Sequence, residues 1–558
     1  MTTAPHAPAR RPRARRSRTR AWAVAALVPT LLLAACSTAA APAVGPSDAA
    51  AASADPVPGG TLRFALGASP SGVDPQQVGS NVSIYVARQL ADSLTDQDPE
   101  TGEIVPWLAT SWDVSDDLTQ FTFHLRDGVT FSDGTPLTAA TVQANLDVLA
   151  RGLGAGSALA TSYLSGYVET RVDDERTATV VFEAPNAQFL QATSTVSLAI
   201  LSDATTQAAP EARLQGDVVG SGPFVLESYT QDQGAVLTRR DGYAWASGVS
   251  DHDGEAYLDR IEFTVVPESG VRAGGLASDQ FDAIGDVLPQ DVAQVEAADG
   301  SVLTRTNPGV VFVLQPNVTA APLDDPDVRR AVNLTIDRQQ LVDTVLSDAF
   351  RPATSVLAST TPGYVDLSDE LALDADAAAD LLDDAGWEPG VDGIREKGGQ
   401  RLAFDVVYAP LFTGSQAVLE LVQQQLRAAG VDLQIRQQTP AEQQQSLTAG
   451  TFGTYYYNVT RADGDILRTQ FSSTLRNINQ RPADDVLDPL LDAQLAAADP
   501  AARADLVAQA QREVLDQGLA IPLFELAQSI GVAADVHGVA FDASSRLLFH
   551  DAWIEPTP

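Results

Sequence analysis

The sequence predicts an α/β protein built of several lobes, and three observations carry that reading. Residues 101–149 read as a strand, a double turn and a helix in succession. Residues 419–435 read as a helix stopped at Gly430 and followed by a strand, the repeat unit of α/β layers. The chain's 558 residues exceed what one simple core accommodates, so they divide among two to four lobes. With 44% hydrophobic and 19% charged residues the composition is globular, not disordered.

Taken in order, residues 9–20 form a basic run and residues 21–35 an apolar run ending in Leu33-Ala-Ala-Cys36. About fifteen apolar residues at 1.5 Å each are too few for a hydrocarbon core of roughly 30 Å. Residues 1–35 are therefore an export signal. They hold seven arginines and no acid, so their removal takes the formal net charge from −38 to −45. Such a surface repels nucleic acid and anionic lipid heads. Cys36 is the only cysteine, which excludes disulfides and thiolate metal clusters. Residues 36–58 are rich in Ala, Ser and Pro and form a tether reaching roughly 25 Å.

Alternation predicts a strand over 59–66. A loop over 69–79 then leads to Ser80 and Asn81, which open a helix through Leu94; helix-start amides suit an anionic or carbonyl group of a ligand, while Ser80 also reads as a plain cap. Trp107, Leu108 and Trp112 form an apolar cluster. Phe121, Phe123 and Leu125 alternate with Thr122, His124 and Arg126, the pattern of a strand with one buried face. Gly128 and Gly134 punctuate two turns, and Thr138 caps a helix with Val142, Leu146 and Leu149 on one face. Residues 171–182 read as a hairpin turning at 173–176, residues 257–267 as a strand and 268–281 as a helix. Asp327 is read as the cap of a helix burying Val328, Ala331, Val332 and Ile336, with Arg329 and Arg338 as structural ion-pair partners. Gly386 stops a further helix, residues 503–518 form another, and residues 536–553 close back on the first lobe.

No catalytic constellation is present: there is no GxSxG, HExxH, GxxxxGK[ST] or strand-borne GxGxxG, and the five histidines are isolated in sequence. No metal-ligand spacing of His or Cys and no cofactor signature is found. The richest stretch for binding is 455–465. Tyr455, Tyr456 and Tyr457 supply apolar walls, and Asn458, Thr460, Arg461 and Asp463 supply directed polar groups, the composition of a ligand cleft.

The run Leu108-Ala-Thr-Ser-Trp112, the polar turn after it, and residues 121–139 (FTFHLRDGVTFSDGTPLTA) closely resemble the signature of the family 5 extracellular solute-binding proteins of ABC importers, the peptide, nickel and opine type. Residues 310–338 and 377–387 resemble two further family signatures, and the likeness extends over about 59–555. It implies a periplasmic-binding-protein-like fold of the large type II cluster, with two main lobes, a hinge and an inserted extra lobe. The implied segments are lobe I in three parts (59–96, 216–309, 526–558), an inserted lobe II (97–215) and lobe III (310–525).

Leu33-Ala-Ala-Cys36 resembles a bacterial lipobox, which implies lipidation of Cys36 and anchoring to the outer face of the cell membrane; cleavage near Ala40 is the alternative. The family carries an aromatic near Tyr163 that covers ligand, and W-x-x-D-x-x-D-P-D in the cleft. Here Tyr457 falls at the Trp, Asp463-Gly-Asp465 at the DPD element, and Thr460 at the Asp that clamps a peptide's ammonium; with the alignment shifted by a few residues, Asp463 or Asp465 takes that role instead. A hydroxyl beside Arg461 suits carboxylate or phosphate-like groups better. The resemblance implies a monomer that catalyses nothing and delivers a small molecule or peptide to an ABC permease and its ATPase subunits. A secreted hydrolase and a sensory module docking to a receptor are the alternative readings.

Overall fold

The computed structural model describes residues 55–153, 157–410 and 412–556, in which three large sheets each gather a core of their own. The leader, Cys36 and the tether as far as residue 54 lie outside the described residues. Among those described, no helix is long and apolar enough to cross a membrane.

The first sheet has seven strands, ordered in space Ser301–Thr306, Ala527–Val532, Ala283–Ile284, Thr61–Leu66, Arg260–Val265, Gly234–Arg239 and Phe224–Thr230. Thr61–Leu66 pairs in parallel on both sides and is largely buried, as parallel strands covered on both faces require. Phe64, Phe263 and Phe549 pack with centroids 5.5 to 6.1 Å apart. Phe549 comes from the C-terminal segment, which closes on this core as expected.

The second sheet is antiparallel, ordered Ala109–Val114, Gln120–Leu125, Thr177–Phe182 and Tyr167–Asp174. Phe121, Phe123 and Leu125 point inward, as their alternation predicts. They meet Val142, Leu146 and Leu149 on helix Ala139–Arg151, whose cap Thr138 accepts from the Thr141 N–H at 3.3 Å. Burial of each of these large side chains contributes about 1.5–3 kcal/mol.

The third sheet has six strands, ordered Arg351–Pro352, Ile521–Glu525, Gly309–Pro316, Thr454–Thr460, Ala403–Tyr408 and Asp432–Gln437. Gly309–Pro316 is buried along its whole length because helices cover both faces: Phe312 and Leu314 enter one core, Val311 and Val313 the other.

Four expectations are corrected. The helix after Ser80 is Asn81–Ala87 and does not reach Leu94, because the Gln89 and Leu90 carbonyls accept from Phe224 and Gly222 instead of continuing the helical ladder. The helix expected over 268–281 is Ser269–Ala277; its end is fixed by Phe281 folding against Gly275, where a Cβ atom would lie 2.5 Å from the ring. Asp325, not Asp327, caps helix Pro326–Thr335: Pro326 takes the first helical position, and the Asp325 carboxylate accepts from the Asp327 N–H at 3.0 Å. Arg329 and Arg338 do not take carboxylates as partners. Arg329 donates to the Leu323 and Gln517 carbonyls, and Arg338 to the Pro522 and Leu371 carbonyls. Burial lowers the pKa of Arg338 to about 9.

Candidate functional site

Two extended segments cross side by side between the first and third sheets. Ser301–Thr306 passes through Asn307 and Pro308 into Gly309–Pro316, and Ile521–Glu525 passes through Leu526 into Ala527–Val532. The Asn307 N–H donates to the Leu526 carbonyl at 2.8 Å, which ties the crossings together at their midpoints. Gly309 sits at φ +109°, and a Cβ atom there would lie 2.2 Å from the Val459 carbonyl oxygen. Only glycine lets the end of Thr454–Thr460 come this close, and the same approach lets the Arg461 N–H donate to the Pro308 carbonyl at 3.0 Å.

From this crossing a chain of neutral side chains runs across the sheets. Asn81 Nδ2 donates to Gln528 Oε1 at 3.0 Å, and the Tyr85 hydroxyl donates to the same oxygen. Gln528 Nε2 donates to Asn307 Oδ1 at 2.8 Å, and Asn307 Nδ2 donates to Thr460 Oγ1 at 2.9 Å. Arg461 follows Thr460 and turns toward the second sheet's lobe. Its guanidinium carbon lies 4.1 Å from the centroid of the Tyr163 ring, and its Nη2 donates to Gln188 Oε1. Beside it, the Ala187 N–H donates to the Leu495 carbonyl at 2.9 Å. Asn81, Tyr163, Thr460 and Arg461 thus stand along one path touching all three cores.

The electrostatics of this path are unbalanced. Asp463 takes both terminal nitrogens of Arg503 at 2.7 and 2.6 Å. Burial pushes the Asp463 carboxyl up, but the charge and hydrogen bonds of Arg503 outweigh it and hold the pKa below its ordinary value. Asp465 accepts from Arg468 at 2.7 and 3.1 Å and from Gln494 at 2.6 Å. Three guanidinium groups, Arg461, Arg468 and Arg503, therefore share two carboxylates. Arg461 is the one left over: its side chain has no solvent exposure, Asp465 lies 3.9 Å from Nη1, and Nε and Nη1 have no hydrogen-bond acceptor. A buried cation in this condition favours an added anion.

The remaining expected residues fall elsewhere. Ser80 is exposed at the helix start and bonds Ser83 Oγ at 3.0 Å without capping an amide. Tyr456 faces the third sheet's first core, stacked on Phe312 at 4.9 Å. Tyr455 and Tyr457 face the other side, stacked on each other at 4.5 Å, and Asn458 is half-buried. Gln188, Asn307, Gln528 and Arg503 belong to the site's framework and are not among the expected residues. The only textual sign of them is the Asn307-Pro-Gly309 break between two strands.

Residues 103–474 match the family model described as bacterial extracellular solute-binding proteins, family 5, middle region. The dipeptide-binding protein of Escherichia coli (strain K12) is 26% identical over 533 residues, covering 89% of this chain and 95% of that protein. The glutathione-binding protein GsiB of the same strain is 26% identical over 373 residues, 66% of this chain and 68% of that protein. Among solved structures, NikA from Brucella suis in complex with Fe(III)-EDTA superposes with a TM-score of 0.77 at 22% identity, covering 89% of this chain and all of that one.

Proposed function

Because this chain belongs to the bacterial extracellular solute-binding proteins of family 5, we propose that it captures a small solute outside the cytoplasm and delivers it to the permease of an ABC importer. The capturing lobes are those assigned along the sequence: lobe I (59–96, 216–309, 526–558), lobe II (97–215) and lobe III (310–525). The observation that carries this reading is the paired crossing at Asn307 and Leu526. There two strands of the first sheet run on directly into two strands of the third, joined by the Asn307 N–H to Leu526 carbonyl bond, with polar side chains and Arg461 arrayed beside it. Rotation there opens and closes the lobes on a solute, and a solute that touches both sides stabilises the closed form. Shifting the population from 1:99 to 99:1 takes a differential affinity of about 5.5 kcal/mol. The solute is a peptide or peptide-like compound, in keeping with the dipeptide and glutathione named for the relatives, and its carboxylate pairs with Arg461. The protein acts as a monomer and performs no reaction itself.

Mass spectrometry of the purified protein under native conditions is expected to find a retained small molecule, and its removal by mild denaturation to increase the radius seen by solution scattering. A chain that carries nothing and keeps one radius with every peptide and chelate offered is not a solute-capturing protein. The lipid anchor is a separate element of the proposal, supported by Leu33-Ala-Ala-Cys36. Two acyl chains on Cys36 hold a protein stably where one does not. Cys36→Ser is therefore expected to move the protein from the membrane to the soluble fraction or leave it uncleaved; unchanged membrane fractionation removes the anchor.

A further inference from the structure

Away from the crossing, the fold brings together His252, His550 and Asp551, whose donor atoms all lie within 4.8 Å of one another. His252 belongs to the loop between Gly234–Arg239 and Arg260–Val265, and the other two to the C-terminal segment. His252 Nε2 is 3.4 Å and His550 Nδ1 2.8 Å from Asp551 Oδ1. Tetrahedral zinc with bonds of about 2.05 Å sets its ligands about 3.3 Å apart. The three donors therefore need move by less than about 1.5 Å to meet one ion, and the two rings, stacked with an interplanar angle of 22°, must tilt so that both in-plane lone pairs point at it.

The surroundings hold these donors in place. His550 Nε2 bonds the Gly254 carbonyl at 2.8 Å. A carbonyl only accepts, so Nε2 carries a hydrogen there, the outer-sphere arrangement of metal-bound histidines; Asp551 Oδ1 also only accepts, so Nδ1 donates to it and releases that proton to solvent when it ligates the ion. The Asp251 N–H donates to Asp551 Oδ2 at 3.1 Å and leaves Oδ1 toward the histidines. His252 Nε2 is buried with no hydrogen-bond acceptor, and its ring stacks on His550 at 4.2 Å. Tyr257 backs His252 at 4.3 Å and Tyr243 backs His550 at 5.5 Å. Side-chain exposures of 20% for His252 and 18% for Asp551 against 10% for His550 leave an entry for an ion on the solvent side.

We propose that His252, His550 and Asp551 form a binding site for a zinc-class divalent cation, which staples the loop around residue 252 to the C-terminal segment and keeps a fourth position for water. Two imidazoles and one carboxylate are the donor set of such ions, while calcium and magnesium prefer oxygen alone. Binding gives up the long Gly254 N–H contact to His252 Nδ1, 3.2 Å, because Nδ1 takes the ring hydrogen when Nε2 ligates.

The test uses the chelator-stripped full chain. Cobalt(II) is expected to bind one to one and give the visible absorption of a four-coordinate nitrogen and oxygen site. Zinc(II) is expected to displace it and, at a hundredfold excess over Kd, to raise the melting temperature by about 3 °C. His252→Ala and Asp551→Asn should each abolish the spectrum; circular dichroism matching the parent shows that either variant is folded. Absence of the spectrum in the parent, or binding that survives in a folded His252→Ala, overturns the proposal. Solute retention is read on the same samples, so failure of this site leaves solute capture standing.

Discussion

Asp463→Ala is expected to cost about 3–5 kcal/mol of stability, the effect of removing one partner from a buried ion pair. Asp463 is 3% exposed and accepts from both terminal nitrogens of Arg503. Truncation leaves the Arg503 guanidinium on helix Pro500–Asp516 facing Gln494 alone. The uncompensated charge, more than the lost contact, sets the size of the loss. Asp463→Leu combined with Arg503→Leu should recover most of it, because both desolvation costs disappear together. The pair also fixes the sign of a pH dependence. The Asp463 pKa is below its ordinary value in the folded chain, so its contribution is complete above the unfolded carboxylate value of about 3.9 and is lost as pH falls through the lower folded one. Urea denaturation of the parent and both variants at pH 7 and under acid checks each statement; a single variant within about 1 kcal/mol of the parent places the pair among the weak ones.

The same residues show what the text could reveal. The alternation of Phe121, Phe123 and Leu125, the Thr138 cap and the glycine stops at Gly386 and Gly430 act over a few residues, so local pattern suffices to find them. The three consecutive tyrosines illustrate the limit of such patterns. In a strand, successive side chains take opposite faces, and a triplet that reads as one aromatic wall is divided, with Tyr456 in one core and Tyr457 in the other. Partners distant in sequence leave no local trace at all. Asn307 meets Gln528 across 221 residues and Arg461 meets Gln188 across 273. His252 and His550 are equally remote, and their isolation in sequence says nothing of their stacking.

Arg461→Ala is expected to separate affinity from stability, the reverse of Asp463→Ala. Hydrogen bonds to a charged group contribute about 1.5–3 kcal/mol each. Loss of a two-pronged contact to a solute carboxylate should therefore weaken binding by about a hundredfold or more by calorimetry. Arg461→Lys should not restore it, since an ammonium cannot reproduce the planar fork. The solute-free chain should lose far less, because Arg461 is the cation without a matching carboxylate in its cluster, and its removal balances the charge of Arg468 and Arg503 against Asp463 and Asp465. Amidating the carboxylate of a bound peptide should reproduce the loss in the parent and add nothing in Arg461→Ala, because both changes break one contact. If Arg461→Ala keeps full affinity, Arg461 is a strut between lobes II and III through Tyr163 and Gln188, and recognition lies with the neutral path from Asn81 to Thr460.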